Sequence, residues 1–164
     1  MALVAAGMDG TPPRALLDVG CGTGRLLRRA AERWPGARLV GVDPAQGMID
    51  AARRLTPGAT FHQGQGEALP LEDASVDAAF STISFHHWAD QPAGLREVRR
   101  VLRPGGRFCL VDITLPRFVA PVIPHARVHT RREMAALFAG AGLSVVIQKG
   151  LFGGTVAATV GVKA

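Results

Sequence analysis

The sequence predicts an α/β fold in which a mostly parallel sheet carries helices on both of its faces. Apolar stretches of strand length alternate with amphipathic stretches of helix length along most of the chain. The first apolar stretch leads directly into a glycine-rich turn at 20–24, and a helix begins there. The last two apolar stretches are separated only by 150–154, which is too short for a crossover helix. If they are neighbours, these two strands must therefore pair antiparallel.

The individual elements follow from local residue preferences. Pro44 suits the first turn of a helix, and Thr130 followed by Glu133 matches the capping-box pattern. Proline and glycine pairs end the first two helices. Strands are predicted over 15–19, 38–43, 60–63, 76–81, 107–112, 144–149 and 155–163. Helices are predicted over 24–33, from Pro44 to near 56–58, over 92–102 and over 130–141.

The length and composition indicate one globular domain. A chain of 164 residues with 48% hydrophobic and 20% charged residues can bury a sizeable core. We expect residues 1–13 to form a loose lead-in to a single domain over 14–164. No apolar run reaches the roughly 18–20 residues of a membrane span, and no basic leader precedes an apolar stretch. Two cysteines cannot build a disulfide framework, so we expect reduced thiols and a cytoplasmic location.

The formal net charge of +6 raises the question of a nucleic-acid partner. The basic residues are nearly all arginines, and they are scattered along the predicted helices. The aromatic residues do not alternate with them, so a stacking platform for bases is not indicated. We interpret the charge as a solvated arginine-rich surface, with an acidic or phosphorylated substrate as the alternative. Nucleic acid is not the expected partner.

The glycine turn predicts a nucleotide-type ligand at the end of the first strand. A turn without side chains lets a ligand approach the backbone, and the following helix directs its free N–H groups toward that ligand. Gly20, Gly22 and Gly24 are spaced two and two, whereas the dinucleotide fingerprint is spaced two and three. That fingerprint needs its third glycine where this chain has Arg25. The spacing therefore argues against a nicotinamide-dependent oxidoreductase.

The second strand is predicted to end in Asp43, whose carboxylate can accept both ribose hydroxyls of an adenosine. Together with Asp43, four segments form a pattern that resembles one known family: DVGCGTG at 18–24, GQGEALP at 64–70, SVDAAFS at 75–81 and EVRRVLRPGGR at 97–107. The pattern is that of the class I, Rossmann-like S-adenosylmethionine-dependent methyltransferases, of the small-molecule type that includes the ubiquinone and menaquinone biosynthesis enzymes. The resemblance implies the cofactor S-adenosyl-L-methionine and a seven-stranded sheet of order 3-2-1-4-5-7-6, with strand seven antiparallel.

The resemblance also implies which residues contact the cofactor. The backbone of Gly20, Cys21 and Gly22 would meet its amino-acid end, and Asp18 would reach its ammonium group, often through water. Asp43 would take the ribose diol. Three plainer interpretations remain open: an ordinary strand–helix turn at the glycines, an Asp18 that only organises that turn, and an Asp43 that caps the second helix.

Further contacts are implied beside the ribose and around the adenine. Pro44 follows the ribose-binding acid, and Met48 would cover the adenine unless it is simply a core residue. Gln65 stands where the family usually has an acid that accepts a hydrogen bond from the adenine amino group. Its amide oxygen can accept the same bond without a charge. The backbone amides of Gly66 and Glu67 would also serve the adenine, although the Glu67 side chain is equally suited to a structural role.

The loop after the fourth strand contains the candidate catalytic residue. The resemblance implies that the backbone at Ser81 meets the cofactor ammonium. His86 could take a proton from a hydroxyl or carbon acid, because histidine titrates near neutral pH. Alternatively, His86 and His87 hydrogen-bond the loop backbone. The histidines, which include His125 and His129, show no metal-ligand spacing, so no metal is expected.

The leading functional hypothesis is in-line methyl transfer to a small-molecule acceptor. The alternative is a cofactor-binding protein without catalysis, because the proline-rich stretch 113–129 offers little to cover a substrate. A nucleic-acid methyltransferase is disfavoured because the loop after the fourth strand lacks the Asn-Pro-Pro-Tyr type motif. We expect the apolar segment 116–124 to contact a second subunit, giving a homodimer, or to form part of a shallow substrate pocket.

Overall fold

Seven strands form one sheet in the order β3-β2-β1-β4-β5-β7-β6 in the computed structural model, which describes residues 12–114 and 127–164. Strand β7 pairs antiparallel with both β5 and β6, and the other neighbours pair parallel. The predicted order and the antiparallel last strand are both confirmed. The strands are β1 Ala15–Val19, β2 Arg38–Asp43, β3 Thr60–Gln63, β4 Val76–Thr82, β5 Leu102–Ile113, β6 Leu143–Leu151 and β7 Val156–Lys163.

Within the described ranges, four α-helices connect or follow these strands: α1 Arg25–Arg33, α2 Gln46–Leu55, α3 Gln91–Val101 and α4 Arg131–Gly140. Short 3₁₀ turns lie at Phe85–His87 and Phe152–Gly154. The predicted capping box begins α4. The Thr130 hydroxyl accepts from the backbone N–H of Glu133, and the Glu133 carboxylate accepts from the backbone N–H of Thr130.

The core lies on both faces of the sheet because successive strand residues point in opposite directions. Leu17 lies in a buried cluster with residues of α3 and α4, in which the rings of Phe108 and Phe138 stack with their centroids 5.5 Å apart. Leu16 lies in a second cluster with residues of α1 and α2. Each fully buried leucine contributes about 2 kcal/mol of burial free energy. These two layers hold the strand ends in fixed positions.

Two elements begin at least two residues away from their predicted starts. Helix α2 begins at Gln46 rather than at Pro44, because the carboxylate of Asp43 accepts from the backbone N–H of Ala45 and holds a turn before the helix. Strand β5 begins at Leu102 rather than at 107. Its register against β4 shifts after Leu102, so the predicted Pro-Gly-Gly turn is an irregularity within the strand.

Several predictions fall on residues outside the described ranges. The lead-in 1–13 is described only at Pro12 and Pro13, and neither the segment 116–124 nor His125 is described. Within residues 12–114 and 127–164, no helix is long and apolar enough to cross a membrane. Cys21 and Cys109 are both buried free thiols.

Candidate functional site

A cleft of about 520 Å³ lies at the carboxyl ends of β1, β2, β3 and β4. This is the edge of a doubly wound sheet at which ligands bind. A depression of similar size, about 530 Å³, lies at the opposite end of β1 beside Arg14, but the glycine turn does not reach it. The cleft is lined by eight of the predicted site residues: Gly20, Gly22, Asp43, Pro44, Met48, Gln65, Gly66 and Glu67.

The two first glycines of the turn are needed for different reasons. Both have positive φ angles, +73° at Gly20 and +51° at Gly22, which residues with side chains rarely adopt. A Cβ atom at Gly20 would lie 1.8 Å from the Ser84 hydroxyl oxygen, so Gly20 allows the loop after β4 to approach. Apart from its own chain neighbours, no atom of the described residues would lie within 4 Å of a Cβ at Gly22. Gly22 therefore presents bare backbone to open space in the cleft.

Asp43 joins the glycine turn to the second helix. Its Oδ2 accepts from the backbone N–H of Gly22 and its Oδ1 from that of Ala45, each at 2.9 Å. The carboxylate is buried, yet it lines the cleft. It thus organises the turn, and each oxygen still has a lone pair with which to accept from a ligand hydroxyl.

Asp18 lies on β1 behind the turn and is not among the residues that line the cleft. It is 3% exposed, and no donor reaches its Oδ1 from the described part of the chain. Burial, and then the charge of Asp43, raise the pKa of Asp18 to about 7. A buried carboxyl group that lacks a donor is the group that a nearby cation would stabilise most.

Cys21 points away from the ligand side. Its thiol is buried, and a Cβ at Gly41 on β2 would lie 2.8 Å from its sulfur atom. Burial, together with the charges of Asp18 and Asp43, raises the pKa of this thiol. Cys21 is therefore a packing residue whose backbone, rather than its sulfur, belongs to the turn.

Trp88 forms the wall that the sequence analysis missed. Its ring lies between Gly66 and Gly94, where added Cβ atoms would come within 2.9 and 2.3 Å of ring carbons. Its indole N–H donates to the Ser84 hydroxyl at 3.3 Å. The sequence signal that could have predicted this position of Trp88 was the pair of glycines at 66 and 94. A glycine lets a large neighbouring side chain approach the backbone closely.

The loop after β3 lines one side of the cleft and also forms a hydrogen bond to the start of α3. Gln65, Gly66 and Glu67 line the cleft beside Met48, whose side chain is exposed. The Glu67 carboxylate accepts from the backbone N–H of Asp90 at 3.0 Å. Glu67 therefore has the structural role that the sequence left open, because it ties this loop to the start of α3.

The structure places the end of β4 differently from the prediction. Ser81 is fully buried and does not line the cleft, because the strand continues to Thr82. Ile83 and Ser84 line it instead. Ile83 has a φ of +50°, which is unusual for a β-branched residue and marks the sharp bend that follows the strand.

His86 and His87 have separate surroundings. The ring of His87 lines the cleft, whereas His86 is 8% exposed and does not. The His86 Nδ1 lies 2.7 Å from Oδ1 of Asp112, and its backbone N–H donates to Oδ2 of the same residue at 3.0 Å. Asp112 is near the end of β5 and was not singled out from the sequence, because nothing local relates it to His86.

His129 lies apart from this pair. Its Nε2 is 2.7 Å from the side-chain oxygen of Gln91 on α3. Burial lowers the pKa of His129, against the smaller raising effects of Glu133 and Asp112. In the described ranges, no three metal-ligating side chains lie close enough to hold an ion.

Known proteins resemble this chain in both sequence and fold. Residues 17–110, more than half of the chain, match the model of the methyltransferase domain family. An uncharacterized methyltransferase of Mycobacterium tuberculosis is 45% identical over 98 residues, covering 60% of this chain and 39% of its own. A demethylmenaquinone methyltransferase of Deinococcus radiodurans is 39% identical over 108 residues, covering 63% of this chain and 45% of its own.

The fold is shared with solved structures. A geranyl diphosphate methyltransferase in complex with S-adenosylmethionine superimposes with a TM-score of 0.87 at 18% identity, covering 99% of this chain and 83% of that one. The chain spans less than half the length of the two curated relatives that it matches. The family match and the strand order agree. The chain therefore belongs to the methyltransferase domain family, and its fold is that of the class I S-adenosylmethionine-dependent methyltransferases.

Proposed function

We propose that the chain binds S-adenosylmethionine in the cleft and catalyses transfer of its methyl group to a small-molecule acceptor. The observation that carries this proposal is the combination of bare backbone at Gly22 with two buried carboxyl groups of different character. Asp43 has donors on both oxygens, whereas Oδ1 of Asp18 has none from the described residues. The ligand best suited to this set carries both a hydroxyl pair and a cation.

The cofactor satisfies each of these requirements. Its amino-acid end would lie on the backbone of Gly20 and Gly22, and its ammonium group would supply the missing charge near Asp18, directly or through water. Its ribose hydroxyls would donate to Asp43. Its adenine would lie near Met48 and Gln65, whose amide oxygen can accept from the adenine amino group.

Methyl transfer also requires that the acceptor be placed correctly beside the cofactor. The bound sulfonium supplies a methyl group that is already electrophilic, so the protein mainly has to hold an acceptor in line and exclude water. Ile83 and Trp88 supply apolar surface at the side of the cleft where β4 ends. The adjacent His87 is the titratable ring that lines the cleft there.

A small molecule is the acceptor class that the relatives favour. The Deinococcus relative acts, by its name, on demethylmenaquinone, and the solved neighbour is named for geranyl diphosphate. Both names describe low-molecular-weight acceptors. The arginines of this chain are scattered and its aromatic residues are few, so its composition does not favour a nucleic-acid acceptor.

Calorimetry and a turnover assay test the proposal together. We expect heat of binding with S-adenosylhomocysteine and with S-adenosylmethionine, and none with NAD. We also expect release of S-adenosylhomocysteine when phenols, quinols or amines are supplied. Binding without turnover on the whole panel would favour the non-catalytic alternative. Absence of heat from folded protein would contradict the cofactor assignment itself.

A further inference from the structure

A depression at the end of the sheet opposite the cleft is lined by a cluster of arginines. It has a volume of about 530 Å³ and lies where the parallel strands begin, beside Ala15 of β1 and Arg38 of β2. Its charged lining residues are four arginines and one acid, which leaves a formal charge of +3: Arg14, Arg38, Arg103, Arg107 and Asp77. We call this surface the basic depression.

We propose that the basic depression is a binding site for a small phosphorylated molecule. None of the residues that line it also lines the cofactor cleft. The two sites lie at opposite ends of the strands, so this inference does not rest on the proposed function.

The one acid of the depression does not neutralise its arginines. Oδ1 of Asp77 accepts from Nη1 of Arg103 at 2.7 Å, and its Oδ2 accepts from the backbone N–H groups of Arg14 and Ala15, each at 2.8 Å. The charge of Asp77 is therefore matched by Arg103. Neither Arg14 nor Arg38 forms an ion pair with a carboxylate of residues 12–114 and 127–164.

Backbone carbonyls hold two of the guanidinium groups in place. Nη2 of Arg38 donates to the carbonyl of Ser75 at 2.7 Å, and Nε of Arg103 donates to the carbonyl of Ala74 at 3.2 Å. A carbonyl orients a guanidinium without cancelling its charge, and the other N–H groups of Arg38 can still donate. The arginines are thus positioned for an anion before it binds.

The arrangement of donors favours a phosphoryl group over a carboxylate. A phosphoryl group has three oxygens that can accept from more than one guanidinium at once, and arginine pairs with it in a bidentate geometry. The depression also offers uncharged surface for an organic group, and its size falls within the roughly 300–1,000 Å³ of small-molecule sites. This surface is formed by Pro12, Pro13, Ala15, Pro104, Gly105 and Gly106.

A nucleic-acid strand fits this end of the sheet less well. No aromatic residue lines the depression, so bases would have no ring on which to stack. Glu72 and Asp73 line an adjacent depression that shares Arg38 and Arg103. A long polyanion that crossed both depressions would meet these carboxylates, whereas a small ligand in the basic depression would not.

Calorimetry on the full chain in a low-salt buffer without phosphate tests the ligand class. The probes are inorganic pyrophosphate, phenyl phosphate and benzoate, the last being the carboxylate matched to phenyl phosphate. We expect heat of binding with both phosphate probes and at least tenfold weaker binding of benzoate. Equal affinities for benzoate and phenyl phosphate would overturn the phosphoryl assignment, and no heat with either phosphate probe would overturn the site itself.

A pair of double variants tests the location. Arg14→Gln with Arg38→Gln should weaken pyrophosphate affinity at least tenfold, because hydrogen bonds to charged groups are lost. Arg29→Gln with Arg132→Gln is the matched control, since it removes the same charge from exposed positions on α1 and α4 that do not line the depression. It should change affinity by about twofold or less, because salt screens distant charges. Equal losses in the two double variants would show a general charge effect and contradict the site.

Arg14→Gln alone keeps the test decisive if the first double variant does not fold. The Arg14 guanidinium is exposed and hydrogen-bonds no residue of the described ranges, so its removal leaves their hydrogen bonds intact. This variant should weaken pyrophosphate binding severalfold. An unchanged affinity in it would overturn the inference.

Two further titrations separate this site from other anion sites. Pyrophosphate should bind with the same affinity in the presence of saturating S-adenosylhomocysteine, whereas competition would place the anion in the cleft and contradict the inference. A short single-stranded oligonucleotide should bind no more tightly than pyrophosphate, and binding of the oligonucleotide alone would assign the surface to nucleic acid instead. If S-adenosylhomocysteine gives no heat, the proposed function fails, while the variant titrations still decide this inference.

Discussion

Asp18 and Asp43 are buried carboxyl groups on the adjacent strands β1 and β2, and they differ in their hydrogen bonding. Both oxygens of Asp43 accept from backbone N–H groups, whereas no donor from the described residues reaches Oδ1 of Asp18. Burial and the nearby charge of Asp43 raise the pKa of Asp18 to about 7. The ligand-free protein therefore bears an electrostatic cost at neutral pH that a bound cation would relieve.

Asp18→Asn should stabilise the ligand-free protein more as pH rises. The folded pKa of about 7 lies above the ordinary 3.8, so the contribution of Asp18 to wild-type stability is greatest below 3.8 and is lost as pH rises to 7. Each pKa unit is worth about 1.4 kcal/mol. The difference in unfolding free energy between variant and wild type should thus grow by on the order of 4 kcal/mol between pH 4 and pH 8.

Urea unfolding at pH 4, 6 and 8 measures this difference. Asp50→Asn is the control, because Asp50 lies half-exposed on α2 and its charge is solvated. A difference for Asp18→Asn that does not change with pH would show that folding does not raise the pKa of Asp18.

The same carboxyl group should make cofactor binding depend on pH. The ammonium of S-adenosylhomocysteine favours ionised Asp18, so binding below pH 7 must first remove a proton. We expect affinity to weaken about tenfold per pH unit below 7 and to level off above it, up to the pH at which the ligand amine loses its own proton. Calorimetry in buffers of different ionisation enthalpy should detect proton release at pH 6. The dependence should disappear in Asp18→Asn.

The open space at Gly22 gives a third prediction. Gly22→Ala adds a methyl group that meets no atom of the described residues within 4 Å beyond its chain neighbours, so we expect its effect on folding to be the strain of a positive φ, about 1 kcal/mol. The methyl would point into the space that the cofactor needs. We expect at least a tenfold loss of affinity for S-adenosylhomocysteine, measured by calorimetry.

Gly105→Ala is the matched control for this variant. Gly105 also has a positive φ, +75°, and also has open space, but it lies at the opposite end of the sheet. It should lose similar stability and no affinity. Equal affinities for the two variants would mean that the cofactor backbone contact lies elsewhere.

The sequence predicted the scaffold well because its signals are local. Glycine and proline residues between the elements, together with the apolar strand periodicity, indicate where strands end, and β1, β2 and β3 match their predicted bounds. Residues that line the cleft from the end of one strand and its following turn, such as Gly22 and Asp43, were predicted for the same reason.

Features that depend on distant parts of the chain were not predicted. Asp112 reaches His86 across 26 positions of sequence, and the ring of Trp88 lies between two glycines that belong to different elements. The prediction ended β4 one residue early, at Ser81, because the length of this strand is set by its pairing with β5, which extends to Thr82. Such contacts arise from sheet registration and packing, on which local residue preferences carry no information.

Asp43 is the residue whose removal should affect both folding and binding. In Asp43→Ala, the backbone N–H groups of Gly22 and Ala45 lose their acceptors, which should cost about 2 kcal/mol of unfolding free energy. Loss of the ribose contact should separately weaken the free energy of cofactor binding by about 2 kcal/mol, roughly thirtyfold in affinity.

Asp77→Ala separates the two effects, because it also removes a carboxylate that accepts from two backbone N–H groups, but far from the cleft. Chemical denaturation should show similar losses of stability in both variants, and calorimetry should show loss of affinity in Asp43→Ala alone. Unchanged affinity in folded Asp43→Ala would leave Asp43 as a brace for the turn and remove it from the ribose site.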